Sequence, residues 1–81
     1  MHNQIREVLA AHGRMAVDPH QVDDQADLYE LGLTSHASVD VMLALEDEFD
    51  IEFPEEVLKT ATFASIHNIA QVIDGLVELS A

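Results

Sequence analysis

The chain has no cysteine and no tryptophan, and only three basic side chains accompany 16 acidic ones among its 81 residues. Without cysteine, neither disulfides nor thiolate metal ligands can stabilise the fold, so the packing of apolar side chains must do so. Hydrophobic residues make up 48% of the sequence, which is enough for a small core. A chain of this size buries only about 60% of its unfolded surface. We therefore expect a single domain over residues 1–81, without a deep catalytic cavity.

The shortage of basic residues gives a formal net charge of −13. Such a charge argues against nucleic acid and anionic membranes as partners, and it favours proteins with basic surfaces. No apolar run approaches the roughly 18 residues that a membrane span needs. Residues 1–8 also lack the basic start and apolar core of a secretion signal. We expect a cytoplasmic protein that is monomeric when free.

Helical periodicity of the apolar residues predicts an all-α fold, a small four-helix bundle. The predicted helices are Asn3 to about Arg14, Ser35 to Phe49, Glu55 to about Thr60, and a last helix that Thr62 caps. Between the first two helices the periodicity fades over Met15–Leu33, which predicts a long first loop. Pro54 and the acids after it favour the start of the short third helix.

The clearest local signal lies at the start of the second predicted helix. Gly32 can take the positive φ that a tight turn needs, and Thr34 is a favoured N-cap residue. This places Ser35 in the first turn, where the helix dipole favours a negative group. The structural alternative is an ordinary serine at a helix start, which is a common position for serine.

Stepping 100° per residue separates the second helix into two faces. The face predicted to be buried carries Ser38, Val41, Met42, Leu45 and Phe49. The other face carries His36, Val39, Asp40, Leu43 and Asp47, so apolar residues are flanked by acids. A solvated charged face is the structural alternative, but exposed apolar residues beside Ser35 favour a partner-binding surface.

The sequence gives little support for a metal site, a calcium-binding loop or a serine-hydrolase site. The five histidines show no paired ligand spacing, so no metal site is predicted. Asp23, Gln25 and Asp27 resemble the start of a calcium loop, but Leu28 stands where glycine is required. The residues before Ser35 do not form the G-x-S-x-G elbow of serine hydrolases.

Three segments resemble the acyl carrier protein family, including the carrier domains of polyketide and nonribosomal peptide assembly: residues 27–35, 39–54 and, more loosely, 62–66. The resemblance implies a four-helix bundle with a long first loop. It implies that Ser35 carries 4′-phosphopantetheine through a phosphodiester, and that cargo is held as a thioester. The protein is then not an enzyme. Its implied partners are a phosphopantetheinyl transferase, an activating ligase and a downstream transferase with basic docking surfaces.

The chain departs from the family pattern beside Ser35, because most relatives have Asp-Ser-Leu where Thr34, Ser35 and His36 stand. Thr34 can still cap the helix, but it lacks the carboxylate that helps the family position the metal and the transferase. His36 replaces an apolar residue that partners commonly contact. Residues 32–39 also resemble small bacterial carriers that are charged with amino acids by ligases related to seryl-tRNA synthetase, which implies an aminoacyl cargo.

Two alternatives from other classes make distinct predictions. An unmodified acidic interaction domain with a carrier-like fold would bind its partners after Ser35→Ala and without pantetheine. A minimal serine esterase would turn over substrate as the purified, unmodified chain.

Overall fold

A computed structural model describes residues 1–80, and the side chains of residues 1–77. It contains the α-helices α1 (His2–His12), α2 (Ser35–Phe49) and α3 (Ile66–Ser80). Short 3-10 helices lie in the connections at Pro19–Gln21, Glu55–Val57 and Thr60–Phe63. No strand forms within residues 1–80, so the all-α prediction is confirmed.

The short third helix predicted over 55–60 is replaced by two 3-10 turns, so the count of four α-helices is not confirmed in the described residues. The backbone leaves the helical region at Leu58 (φ −83°, ψ 67°) and is extended at Lys59 (φ −127°, ψ 159°). β-branched residues with low helix propensity recur here, and one of them, Thr62, donates from its hydroxyl to the carbonyl of Val57 over 2.6 Å. This bond joins the two turns in a compact, non-α arrangement.

One apolar core lies between the helices and the two long connections. Its largest fully buried side chains are Ile5, Leu9, Leu28, Val41, Leu45, Ile66, Ile69 and Ile73. Phe53 and Phe63 extend the core with an edge-to-face contact, their ring centroids 5.7 Å apart at 63°. This contact packs the segment after α2 against the chain that leads into α3.

Arg6 of α1 holds the connection between α1 and α2 in place. Its guanidinium donates to the carbonyls of Pro19 and Val22, each over 2.7 Å, and pairs with the carboxylate of Asp24. The connection is also tied to the start of α3, since the amide of His67 donates to the carbonyl of Asp24 over 2.9 Å. The chain that leads into α2 is therefore fixed by both neighbouring helices.

Side-chain caps begin both the 3-10 helix at Pro19–Gln21 and the helix α3. Asp18 accepts a hydrogen bond from the amide of His20 over 3.0 Å, and this bond, with a second from the His20 ring, holds the pKa of Asp18 below its usual value. At α3, the hydroxyl of Ser65 accepts from the amide of Asn68 over 3.1 Å. The prediction that Thr62 caps the last helix is wrong, because its hydroxyl is buried and committed to Val57.

Candidate functional site

The turn before α2 has the geometry that its sequence predicts. Gly32 has a φ of +110°, and a Cβ at this position would lie 3.1 Å from the amide nitrogen of Ala16, so a side chain is disfavoured both by backbone strain and by crowding. Thr34 is extended, and its hydroxyl accepts from the amide of Ala37 over 3.0 Å. The predicted glycine turn, the Thr34 cap and the bounds of α2 are all confirmed.

Ser35 is the first residue of α2, and its side chain is exposed. Its carbonyl accepts from the hydroxyl of Ser38 over 2.7 Å. Its own hydroxyl has no hydrogen-bond partner in the part of the chain that the structure describes. The amides of Ser35 and His36 precede the first intrahelical bond, so an anion on this hydroxyl would meet free donors and the positive end of the helix dipole.

A pocket of about 300 Å³ opens beside Ser35, between α2 and the turns at 58–63. Its apolar lining consists of Tyr29, Val39, Met42, Leu58 and Phe63. Its polar lining consists of Ser35, Ser38, Lys59 and Thr60. Sequence reasoning missed Tyr29 and residues 58–60, because the fold brings them to Ser35 from distant segments. One available signal was Lys59, the single lysine in a strongly acidic sequence.

The four residues predicted to form one partner face lie on two sides of the exposed part of α2. Val39 lines the pocket beside Ser35. By contrast, Asp40, Leu43 and Asp47 line a second, open groove of about 580 Å³, which we call the α1–α2 groove. The rest of its lining is Val8, His12, Arg14, Ala44 and Glu48.

The apolar members of the predicted face are the more exposed ones. Val39 and Leu43 expose 51% and 54% of their surface, Asp47 is exposed, and Asp40 is half-buried. His36 is exposed and lines neither the pocket nor the groove. The apolar side chains of Val39 and Leu43 are therefore accessible from solvent on the two sides of α2.

The described residues hold neither a metal-binding cluster nor a membrane-spanning helix. No group of three or more His, Cys, Asp or Glu side chains there is arranged to hold a metal ion. None of the helices described over residues 1–80 has the length and apolar character needed to cross a membrane.

Comparison with known proteins places the chain in a family. A family model described as the phosphopantetheine attachment site matches residues 3–73. The chain is 45% identical over 73 residues to an aminoacyl carrier protein from Agrobacterium fabrum, a match that covers 90% of this chain and 88% of that protein.

Solved structures agree with this assignment. The fold matches a chain in the crystal structure of an engineered Bradyrhizobium japonicum glycine:[carrier protein] ligase complexed with carrier protein from Agrobacterium tumefaciens and AMP, with a TM-score of 0.89, 44% identity and coverage of 91% and 99% of the two chains. A second match is to a chain in the crystal structure of the Bradyrhizobium japonicum glycine:[carrier protein] ligase complexed with glycylated carrier protein, with a TM-score of 0.75, 30% identity and coverage of 88% and 95% of the two chains. The chain therefore belongs to the phosphopantetheine attachment family of carrier proteins, which are not catalysts and whose prosthetic group is 4′-phosphopantetheine.

Proposed function

We propose that Ser35 is the residue that carries 4′-phosphopantetheine, and that the protein presents an amino acid held on this arm as a thioester. The observation that carries the proposal is the exposed hydroxyl of Ser35, which has no partner among the described residues and stands at the first turn of α2. The phosphopantetheine attachment model matches residues 3–73, and Ser35 lies within this range in the segment that resembles the family pattern.

The residues around Ser35 suit a phosphodiester. Thr34 satisfies the amide of Ala37, so the helix start is held while the two preceding amides stay available. During attachment the oxygen of Ser35 forms a bond to the phosphorus of coenzyme A that bears pantetheine. The phosphoanhydride bond breaks, 3′,5′-ADP leaves and the hydroxyl proton passes to the transferase. Once bound, the prosthetic group supplies a terminal thiol that holds cargo as a thioester.

An aminoacyl cargo is supported by the relatives. The Agrobacterium fabrum relative is named an aminoacyl carrier protein, and a structural relative is a glycylated carrier bound to its ligase. Thr34 and His36, which depart from the commoner Asp-Ser-Leu pattern, lie in the string that resembles this subtype. The proposed partners are a phosphopantetheinyl transferase, an amino acid:[carrier protein] ligase and a downstream transferase.

For partner docking, we propose that the exposed part of α2 is used, with Val39 on the side of Ser35 and Asp40, Leu43 and Asp47 in the α1–α2 groove. Basic side chains of a partner would complement the carboxylates, while Leu43 supplies apolar area. Charges at such a surface mainly speed association, whereas the exposed apolar residues add to the lifetime of the complex.

The proposal also covers the domain organisation, the oligomeric state and the location of the protein. We propose one carrier domain over residues 1–81, in which the turns at 55–63 take the place of the third helix of a four-helix arrangement after a long first loop. A net charge of −13 opposes self-association, which supports a monomer when the protein is free. We propose the cytoplasm as its location, where coenzyme A would be available to the transferase.

Mass spectrometry after incubation with coenzyme A and a phosphopantetheinyl transferase tests the attachment. The protein should gain one phosphopantetheinyl group, and Ser35→Ala should abolish the gain. Ser38→Ala is the matched control, because Ser38 lines the same pocket and should leave loading intact. Loading of Ser35→Ala, or no loading by several transferases that act on other carriers, contradicts the proposal.

The cargo is tested on the loaded protein in a second step. Incubation with ATP, an amino acid and an amino acid:[carrier protein] ligase should add one aminoacyl group, which hydroxylamine should remove because it cleaves thioesters. An aminoacyl group that survives hydroxylamine, or that also appears on the unloaded protein, contradicts thioester storage on the arm.

A further inference from the structure

The three basic side chains of this acidic protein have different surroundings. Arg6 is largely buried and is committed to two backbone carbonyls and Asp24. Arg14 lines the α1–α2 groove, away from Ser35. Lys59 is exposed, lines the pocket beside Ser35, and forms no ion pair with any described residue.

The backbone of Lys59 is fixed although its side chain is exposed. Its carbonyl accepts from the amide of Thr62 over 3.1 Å. The buried ring of Phe63 anchors the same turn in the core against Phe53. The fold therefore presents an exposed ammonium group, on a fixed backbone, in the pocket that Ser35 also lines.

A phosphodiester on Ser35 would add one negative charge to a protein that already carries −13. The amino terminus of α2 offers only partial positive charge to offset it. Of the residues that line this pocket, Lys59 is the only one with a full positive charge. A lysine ammonium acts as a compact point charge with three donors, which suits a phosphate oxygen whose position varies.

We propose that the ammonium of Lys59 pairs with the phosphodiester on Ser35 and holds the base of the prosthetic arm against the turn at 58–60. This inference rests on the attachment proposed above. Lys59 acts as a positioning residue, since it touches neither the thiol nor the cargo. The pairing directs the arm to the side of α2 that Val39 occupies, and it leaves Asp40 and Asp47 in the α1–α2 groove free for partners.

Nuclear magnetic resonance of the loaded protein tests the pairing, because a single lysine gives a single side-chain signal after labelling with ¹³C,¹⁵N-lysine. Mass spectrometry first establishes that Ser35 is loaded. Attachment should shift the side-chain and backbone amide signals of Lys59, and the side-chain shift should shrink at about 1 M salt, where the Debye length falls to ~3 Å. The ³¹P signal of the loaded protein should move on Lys59→Gln.

Arg14→Gln is the matched control, because it removes the same charge from a residue outside this pocket. It should leave the ³¹P signal where it is in the unsubstituted loaded protein. A ³¹P signal unmoved by Lys59→Gln, or a lysine signal identical before and after loading, overturns the pairing alone. Loading that fails at Ser35 overturns the attachment and the pairing together. Because the labelled-lysine measurement needs no variant, it tests the pairing of Lys59 with the phosphodiester even if Lys59→Gln perturbs folding.

Discussion

The hydroxyl of Thr34 accepts a hydrogen bond from the amide of Ala37 over 3.0 Å, and this bond fixes the start of α2 around Ser35. Thr34 itself is extended, while the next residue is already helical. The cap therefore determines which serine stands in the first turn with its hydroxyl exposed. The position of Ser35 therefore depends on Thr34, although Thr34 need not contact the prosthetic group.

Replacing Thr34 by alanine should lower the free energy of unfolding by about 1 kcal/mol, because the amide of Ala37 loses its acceptor. Thr34→Asp should retain most of the stability, since an aspartate caps as well and favours the positive end of the dipole. Urea unfolding followed by circular dichroism measures both. Equal destabilisation by the two substitutions would show that the cap does not stabilise this helix start.

The two glycines Gly32 and Gly75 should respond oppositely to alanine. Gly32→Ala should cost about 1–3 kcal/mol, because alanine disfavours a φ of +110° and its Cβ would crowd Ala16. Gly75 lies in α3 with nothing within 4 Å of an added Cβ, so Gly75→Ala should stabilise by about 0.5–1 kcal/mol. Thermal unfolding of both variants gives the comparison. A neutral Gly32→Ala would mean that the turn relaxes to another conformation.

Local signals explain why the start of the site could be predicted from the sequence. The Gly32 turn, the Thr34 cap and the apolar period of α2 act within a few residues of one another, so the sequence predicts the bounds Ser35–Phe49 as the structure has them. The cap of α3 could not be chosen in this way. Thr62 and Ser65 are both hydroxyl residues, and a tertiary contact of Thr62 with Val57 leaves only Ser65 available.

The surroundings of Ser35 depend on contacts between distant segments, which helical periodicity does not reveal. Periodicity on α2 predicts that Val39 and Leu43 are exposed together on one face, and the structure confirms their exposure. Periodicity does not show that the turn at 58–60 lies on one side of this face and α1 on the other. As a result, Val39 lines the pocket beside Ser35, whereas Leu43 lines the α1–α2 groove. For the same reason Lys59 could not be linked to Ser35 from the sequence.

Arg6→Gln should destabilise the protein by about 2 kcal/mol, because a largely buried guanidinium gives up charge-assisted bonds to the carbonyls of Pro19 and Val22. Asp24→Asn is the matched comparison and should cost less than about 1 kcal/mol. The carboxylate of Asp24 is 43% exposed, so solvent screens its pairing with Arg6. Urea unfolding measures both. A larger loss from Asp24→Asn would show that the ion pair, rather than the two carbonyl contacts, holds this connection.

Electrostatic and apolar contacts should both contribute to binding of a ligase at the α1–α2 groove, and substitutions should distinguish them. For the loaded protein and an amino acid:[carrier protein] ligase, Asp47→Lys should weaken binding about tenfold at low salt through slower association, and the effect should fade at about 1 M salt. Leu43→Ala should weaken binding by about 1 kcal/mol at either salt concentration, because it removes exposed apolar contact area.

The control for docking is Asp74→Lys, which makes the same charge change on α3 at an exposed residue that lines neither the groove nor the pocket. Surface plasmon resonance at two salt concentrations separates association from dissociation for all three variants. If Asp74→Lys slows association as much as Asp47→Lys, then net charge alone attracts the ligase. A loss confined to Asp47→Lys and Leu43→Ala instead requires a partner surface in which basic residues surround an apolar contact, since each variant removes one of these two complementary features.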